Sequence, residues 1–171
     1  YEKAVLNVPE LYQSKIDLFD KLIKKKNGYI RSPAGFGKTT LMLNIAKHFY
    51  HKGYNVMYEL AVNISTELKD FNNENESIAD KIKKYQDVDI LFIDDLARES
   101  LTAYKIMDIF NPIIQYRIDN NKPLYMNSNY SLDQLFKVIE SKVDTVSADA
   151  FCDRIKHNLG LFKLDDKNYR R

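Results

Sequence analysis

The chain has 171 residues, 44% hydrophobic and 29% charged. That is the composition of one globular domain, and it excludes a disordered, collagen-like or low-complexity chain. The formal net charge is +2, so no broad field marks the surface as a nucleic-acid binder. Its single cysteine, Cys152, excludes an intramolecular disulfide and suits a cytoplasmic location. The 26 basic residues comprise 20 lysines and 6 arginines, so each arginine merits individual inspection. No stretch reaches the ~20 apolar residues needed to span a bilayer, and no secretory leader pattern opens the chain. The first residue is Tyr1, which leads us to expect a further segment upstream.

In chain order, Leu11, Ile16, Phe19, Leu22 and Ile23 recur at helical spacing and predict an amphipathic helix over 11–25. Asn27-Gly28 marks a turn. A short strand, Tyr29 to Arg31, then leads into Ser32-Pro33-Ala34-Gly35-Phe36-Gly37-Lys38-Thr39. Thr40 to Lys52 reads as a helix stopped by Gly53. Tyr54 to Val62 reads as a strand rich in β-formers. The polar stretch from Ile64 to Gln86 reads as a short helix, a loop and a second helix. Asp89 to Asp94 holds the apolar run Ile90-Leu91-Phe92-Ile93, which suits a strand buried on both faces.

Leu101 to Asn120 is helical in pattern, and Asn111-Pro112 reads as a cap followed by proline at the first helical position, which predicts two abutting helices or a kink. Pro123 to Asn127 reads as a strand. Ser131 to Ile139 reads as a helix capped by Ser131, and Ser147 to Leu159 as a helix closed by Gly160. Leu161 to Leu164 reads as a last short strand. Met57, Met107 and Cys152 read as core packing. Strands alternating with helices imply an α/β fold, a parallel sheet of about five strands with helices on both faces. Ligands on such sheets bind at the carboxyl ends of the strands.

Ser32 to Thr39 approximates the phosphate-binding pattern G-x-x-x-x-G-K-[ST], with Ser32 in place of its first glycine. Backbone N–H groups of such a loop wrap a phosphate at a helix N-terminus, where the dipole also favours an anion. Ala34, Gly35, Phe36, Gly37, Lys38, Thr39 and Thr40 are thus candidate ATP/ADP contacts. Lys38 would reach the β- and γ-phosphates, and Thr39 would bind Mg²⁺. Asp94-Asp95 ends the apolar strand as a Walker B pair does. Asp94 would hold the Mg²⁺ and Asp95 would polarise the attacking water. Most enzymes of this kind place Glu at the second position, and Asp is one methylene shorter. The guanine-reading pattern N-K-x-D is not met at Asn121-Lys122-Pro123-Leu124, which disfavours GTP.

Asp94-Asp95-Leu96-Ala97-Arg98-Glu99, Ile113 to Arg117, Lys122 to Ser131, Asp153-Arg154-Ile155 and Asn168-Tyr169-Arg170-Arg171 follow in an order that resembles a known family. It is that of the bacterial replicative helicase loaders (DnaC/DnaI-like) and the related transposon ATP-binding helpers. The resemblance implies a P-loop NTPase of the AAA+ type with little or no lid, with residues 1–28 a linker and helix and residues 29–171 the ATPase core. It implies that Asn129 is a sensor polar group, with Asn127 and Ser128 as competitors. It also implies that Arg154 is an arginine finger and Arg170 a second sensor. Ala150 stands where these loaders carry the first arginine of Arg-x-x-[DE]-Arg, the one read as the finger, so either Arg154 serves instead or trans-activated hydrolysis is weak. Implied partners are a replicative DNA helicase, reached through the missing upstream segment, and single-stranded DNA, with self-assembly and no membrane. Two alternatives stand beside this: a transposition helper ATPase, and a nucleotide-binding interaction module with little hydrolysis.

Overall fold

A computed structural model describes residue 11, residues 13–68 and residues 77–164. A single 3₁₀ turn, Gln13–Lys15, opens into α1 (Ile16–Lys25), followed by β1 (Gly28–Arg31), α2 (Lys38–His51) and β2 (Val56–Leu60). Next come α3 (Ala61–Glu67), α4 (Ile78–Asp87) and β3 (Ile90–Leu96). A π-helical turn, Lys105–Phe110, runs into α5 (Asn111–Asp119), and β4 (Leu124–Ser128), α6 (Leu132–Glu140), α7 (Thr145–Asn158) and β5 (Leu161–Lys163) follow. The five strands form one sheet in the order β2-β3-β4-β1-β5, every pair parallel.

Successive side chains on a strand point to opposite faces, and the two cores follow that rule. Ile90, Phe92, Tyr125 and Ile30 pack with Leu22 of α1 and with Leu41, Met42, Ile45 and Phe49 of α2. Leu91, Ile93, Leu124, Met126 and Tyr29 pack on the other face against α3 to α7. All of these are at most 3% exposed, so each contributes roughly 1.5–3 kcal/mol of hydrophobic stabilisation. Helix α1 is bound closely. Leu22 is fully buried, its carbonyl accepts from the Tyr125 hydroxyl (2.9 Å), and a Cβ on Gly28 would lie 2.5 Å from Leu22. Gly28 thus permits the close approach of α1 to β1.

Several sequence expectations shift in detail. The second strand ends at Leu60, because Ala61 already opens α3. The last helix starts at Thr145, where the Asp144 carboxylate accepts from the Ser147 N–H (2.9 Å) and caps it. Gly160 does not close that helix in the left-handed region. It permits close approach, since a Cβ there would meet Phe162 at 2.5 Å and Lys25 at 2.8 Å. Met107 is 37% exposed and not core. Asn111 is not a cap. Its φ and ψ are −60° and −48°, and its N–H reaches back five residues to Ile106. That wide turn moves aside the carbonyl with which the Pro112 ring would otherwise clash, so the helix passes through the proline. Ser131 caps α6 as expected, in a capping box with Gln134.

One arginine fixes the amino edge of the sheet. Arg117 is fully buried and donates to five carbonyls: Tyr85, Gln86, Val88, Asp89 and Pro123. These bonds tie the end of α4, the start of β3 and the entry to β4. Burial lowers the Arg117 guanidinium to about 10, and the nearby Asp89 opposes that shift.

Candidate nucleotide-binding site

The phosphate loop joins β1 to α2 at the carboxyl edge of the sheet. Gly35 and Gly37 sit at φ 92° and 81°, a region that glycine adopts without a Cβ penalty. Gly37 is also the N-cap of α2. A fourteen-residue helix therefore points its free N–H groups and positive dipole end at the loop. Ser32 is buried and lies outside the left-handed region, so the backbone does not require glycine there. Phe36 packs on the α1/α2 core and anchors the loop.

Lys38 is 6% exposed. Its ammonium donates to the carbonyls of Ser32 (2.7 Å) and Pro33 (3.1 Å) and to Asn129 Oδ1 (2.8 Å). The expected sensor Asn129, just beyond β4, thus stands beside the loop lysine. Asp94 is 1% exposed and receives three donors. The Thr39 hydroxyl lies 3.4 Å from Oδ1, the Tyr58 hydroxyl donates to Oδ2 at 2.6 Å, and Asn127 Nδ2 donates to Oδ1. Asn127 Oδ1 also accepts from the Asp95 N–H (2.9 Å). One buried amide on β4 therefore holds both acidic residues.

The pair lies on a β-bulge. Ile93 pairs with Met126 and Leu96 with Ser128, so β3 carries one extra residue against β4. Asp95 (φ 57°) and Ala97 (φ 65°) take up the turn in the left-handed region. Bulges re-aim side chains and cluster beside functional sites.

The structure thus brings Lys38 to Asn129 and Thr39 to Asp94 at the loop, and ties Asp95 to Asn127, which also bonds Asp94. It does not bring Arg154 to that loop. Arg154 donates to Asn111 Oδ1 at the start of α5. Ala150 is exposed on α7, and Arg170 lies outside the described residues.

The sequence profile of the family described as IstB-like ATP binding protein matches residues 15–171. The chain belongs to this family. Among curated relatives, the replicative helicase loader DnaI of Bacillus subtilis is 26% identical over 151 residues, 86% of this chain and 48% of that protein. An insertion-sequence ATP-binding protein of Geobacillus stearothermophilus is 25% identical over 147 residues, 86% of this chain and 56% of that protein. The chain spans about half the length of these curated relatives. Among solved structures, DnaI matches with a TM-score of 0.75 at 24% identity, covering 97% of this chain and 89% of that one. The DnaC helicase loader matches at 0.71 and 20%, covering 95% and 97%. AMPPCP-bound DnaA from Aquifex aeolicus matches at 0.72 and 17%, covering 99% and 53%. At these identities the matches establish the fold alone, a five-stranded parallel α/β sheet shared with these structures.

Within this IstB-like fold, sequence reasoning missed Tyr58 and Arg98 at the site and named Asn127 only as a competitor for the sensor role. Tyr58 reads as an ordinary strand aromatic, and it does stack on Phe92 (5.7 Å, 18°), which stacks on Tyr125 (4.7 Å, 7°). Its hydroxyl nevertheless ends on Asp94. Asn127 carried a usable signal, because a buried amide inside an apolar strand must find hydrogen-bond partners. Arg98 carried only the general scarcity of arginine. Its Nη1 donates to Asp95 Oδ2 at 2.8 Å.

The oxygen set of Thr39 and Asp94 suits Mg²⁺, a hard cation that prefers hydroxyl, carboxylate and phosphate oxygens. Further from the loop, Glu67 joins α3 to α4. Its Oε2 accepts from the Tyr85 hydroxyl (2.6 Å), and Lys84 pairs with Oε1. Burial alone would raise the Glu67 carboxyl, but the bonds from Lys84 and Tyr85 and the charges of Lys84 and Lys81 hold it below its usual value. Among the described residues, no helix is long and apolar enough to cross a membrane.

Proposed function

We propose that residues 29–171 form an ATPase core that binds ATP with Mg²⁺ at the loop from Ala34 to Thr40 and hydrolyses it, within a protein that delivers a replicative helicase to DNA. The observation that carries the ATPase reading is the meeting of Lys38 with Asn129 and of Thr39 with Asp94 at one helix N-terminus, with Asp95 tied to the same β4 amide as Asp94. Lys38 would exchange its loop carbonyls for phosphate oxygens, which bind an ammonium more strongly. Thr39 and Asp94 would hold Mg²⁺, which neutralises charge on the β- and γ-phosphates. Asp95 would accept a hydrogen bond from the attacking water. The water oxygen bonds to the γ-phosphorus as the bond to the β–γ bridging oxygen breaks, which yields ADP, phosphate and a proton. With Arg154 held by Asn111 and alanine at 150, this hydrolysis is slow without a partner.

The loader reading is supported by the match to DnaI in both sequence and fold. Contact with the helicase belongs to a segment upstream of the core. Single-stranded DNA and further copies of the chain are the remaining partners proposed, in the cytoplasm. The insertion-sequence relative favours a second reading, a transposition helper. Affinity capture of the full-length protein from its host, with and without ATP, separates them. Recovery of a replicative helicase supports the loader reading, recovery of a transposase supports the second, and recovery of neither removes both.

A further inference from the structure

Arg98 stands out among the arginines. Arg117 is buried among backbone carbonyls, and Arg154 is bonded to Asn111. The Arg98 side chain is 72% exposed, and it pairs with the carboxylate of Asp95, three residues earlier and 21% exposed. The adjacent carboxylate does not compete. Glu99 is already engaged by Lys105 and by the Ser65 hydroxyl (2.6 Å). The backbone turns back to make the Asp95 contact. The Arg98 N–H donates to the Asp95 carbonyl (3.1 Å), and the turn uses two non-glycine residues at positive φ, Asp95 and Ala97. Such conformations are unfavourable and persist where their surroundings over-determine them. Here Asn127 holds the Asp95 N–H, and the Ser128 hydroxyl donates to the Leu96 carbonyl at 2.6 Å.

The pair is too exposed to matter for folding, since such surface ion pairs contribute little. Its effect is geometric. Arg98 takes Oδ2 alone, and Oδ1 accepts no hydrogen bond among the described residues. Asp95 and Arg98 both line a cavity of about 270 Å³, with Leu60, Val62 and Glu99. We propose that Arg98 is a positioning residue for hydrolysis: by holding Asp95 through one oxygen, it presents the other to the attacking water. This rests on the ATPase reading above. It also accounts for how an aspartate, one methylene shorter than glutamate, is kept in one orientation.

The test is steady-state hydrolysis of Mg²⁺-ATP by the full chain. It compares wild type, Arg98→Ala, Arg98→Lys, Asp95→Ala and the Asp95→Ala/Arg98→Ala double variant, with fluorescent-ATP binding and thermal unfolding measured alongside. General-base assistance contributes about 10²–10⁴-fold, so disordering the base without removing it is expected to lower kcat about tenfold. KM and ATP affinity should stay within about twofold of wild type, because neither reports on water orientation. Arg98→Lys should recover part of the rate. In the Asp95→Ala background the Arg98 change should cost nothing further, as residues acting as one unit are non-additive.

Three results overturn the proposal alone, given wild-type turnover that Asp95→Ala lowers. They are an Arg98→Ala rate equal to or above wild type, an equal loss in both backgrounds, and a loss confined to KM. Wild type without turnover sensitive to Asp95→Ala overturns the ATPase reading, and this proposal with it.

Discussion

Replacing Tyr58 by Phe removes one oxygen and leaves the ring that stacks on Phe92. The lost bond is a hydroxyl donating to a carboxylate that is 1% exposed. Hydrogen bonds to charged groups contribute about 1.5–3 kcal/mol. The two remaining donors, Asn127 and the more distant Thr39 at 3.4 Å, both serve the other oxygen, Oδ1. The full loss, about 1.5–3 kcal/mol, is therefore expected. For a domain of this size that lowers Tm by about 3–12 °C. The assay is thermal or urea unfolding without nucleotide, at neutral pH and fixed salt, with the urea m-value unchanged. A change below about 0.5 kcal/mol would refute the reasoning, because it would mean that Asp94 does not depend on this donor. Pairing Tyr58→Phe with Asn127→Ala should give non-additive losses, since both act on one carboxylate.

Arg117→Met should cost about 3–5 kcal/mol, because five carbonyls and the amino edge of the sheet lose a shared donor; urea unfolding reads it, and a loss under about 1 kcal/mol would contradict the role given to Arg117. Glu67→Gln should destabilise the chain at neutral pH, and the difference should vanish in acid. The Glu67 carboxyl is held below its ordinary value. Its contribution is therefore present above that value and disappears as pH falls through the lower, folded-state value. Unfolding measured from pH 7 down to pH 3 checks the sign. Asp144→Ala, which removes the cap of α7, should cost about 1 kcal/mol by thermal unfolding.

The parallel sheet and most of its elements were legible in the sequence because apolar periodicity and punctuation agree. The run Ile90 to Ile93 suits a strand buried on both faces, and Ser131 before an apolar-periodic stretch suits a helix cap. The phosphate loop and the acidic pair were legible because few residue types suit that chemistry. The limits lay where tertiary contacts override local signals. Asn111-Pro112 has the local form of a capped helix start, and two helical segments do abut there, but a π-turn runs into α5 where a cap was expected. The bulge at Asp94-Asp95 depends on register with β4, which no local pattern encodes. Tyr58 and Arg98 become part of the site only once β2 lies beside β3 and the Asp95 turn closes.

The most direct measurement is calorimetric titration of the full chain with ATP in Mg²⁺, comparing wild type with Lys38→Ala. One nucleotide per chain is expected for wild type. Loss of a charged donor worth about 1.5–3 kcal/mol should weaken binding about 10–100-fold in the variant. Equal affinity in the two proteins, or no binding by wild type, would contradict the assignment of this loop as the nucleotide site.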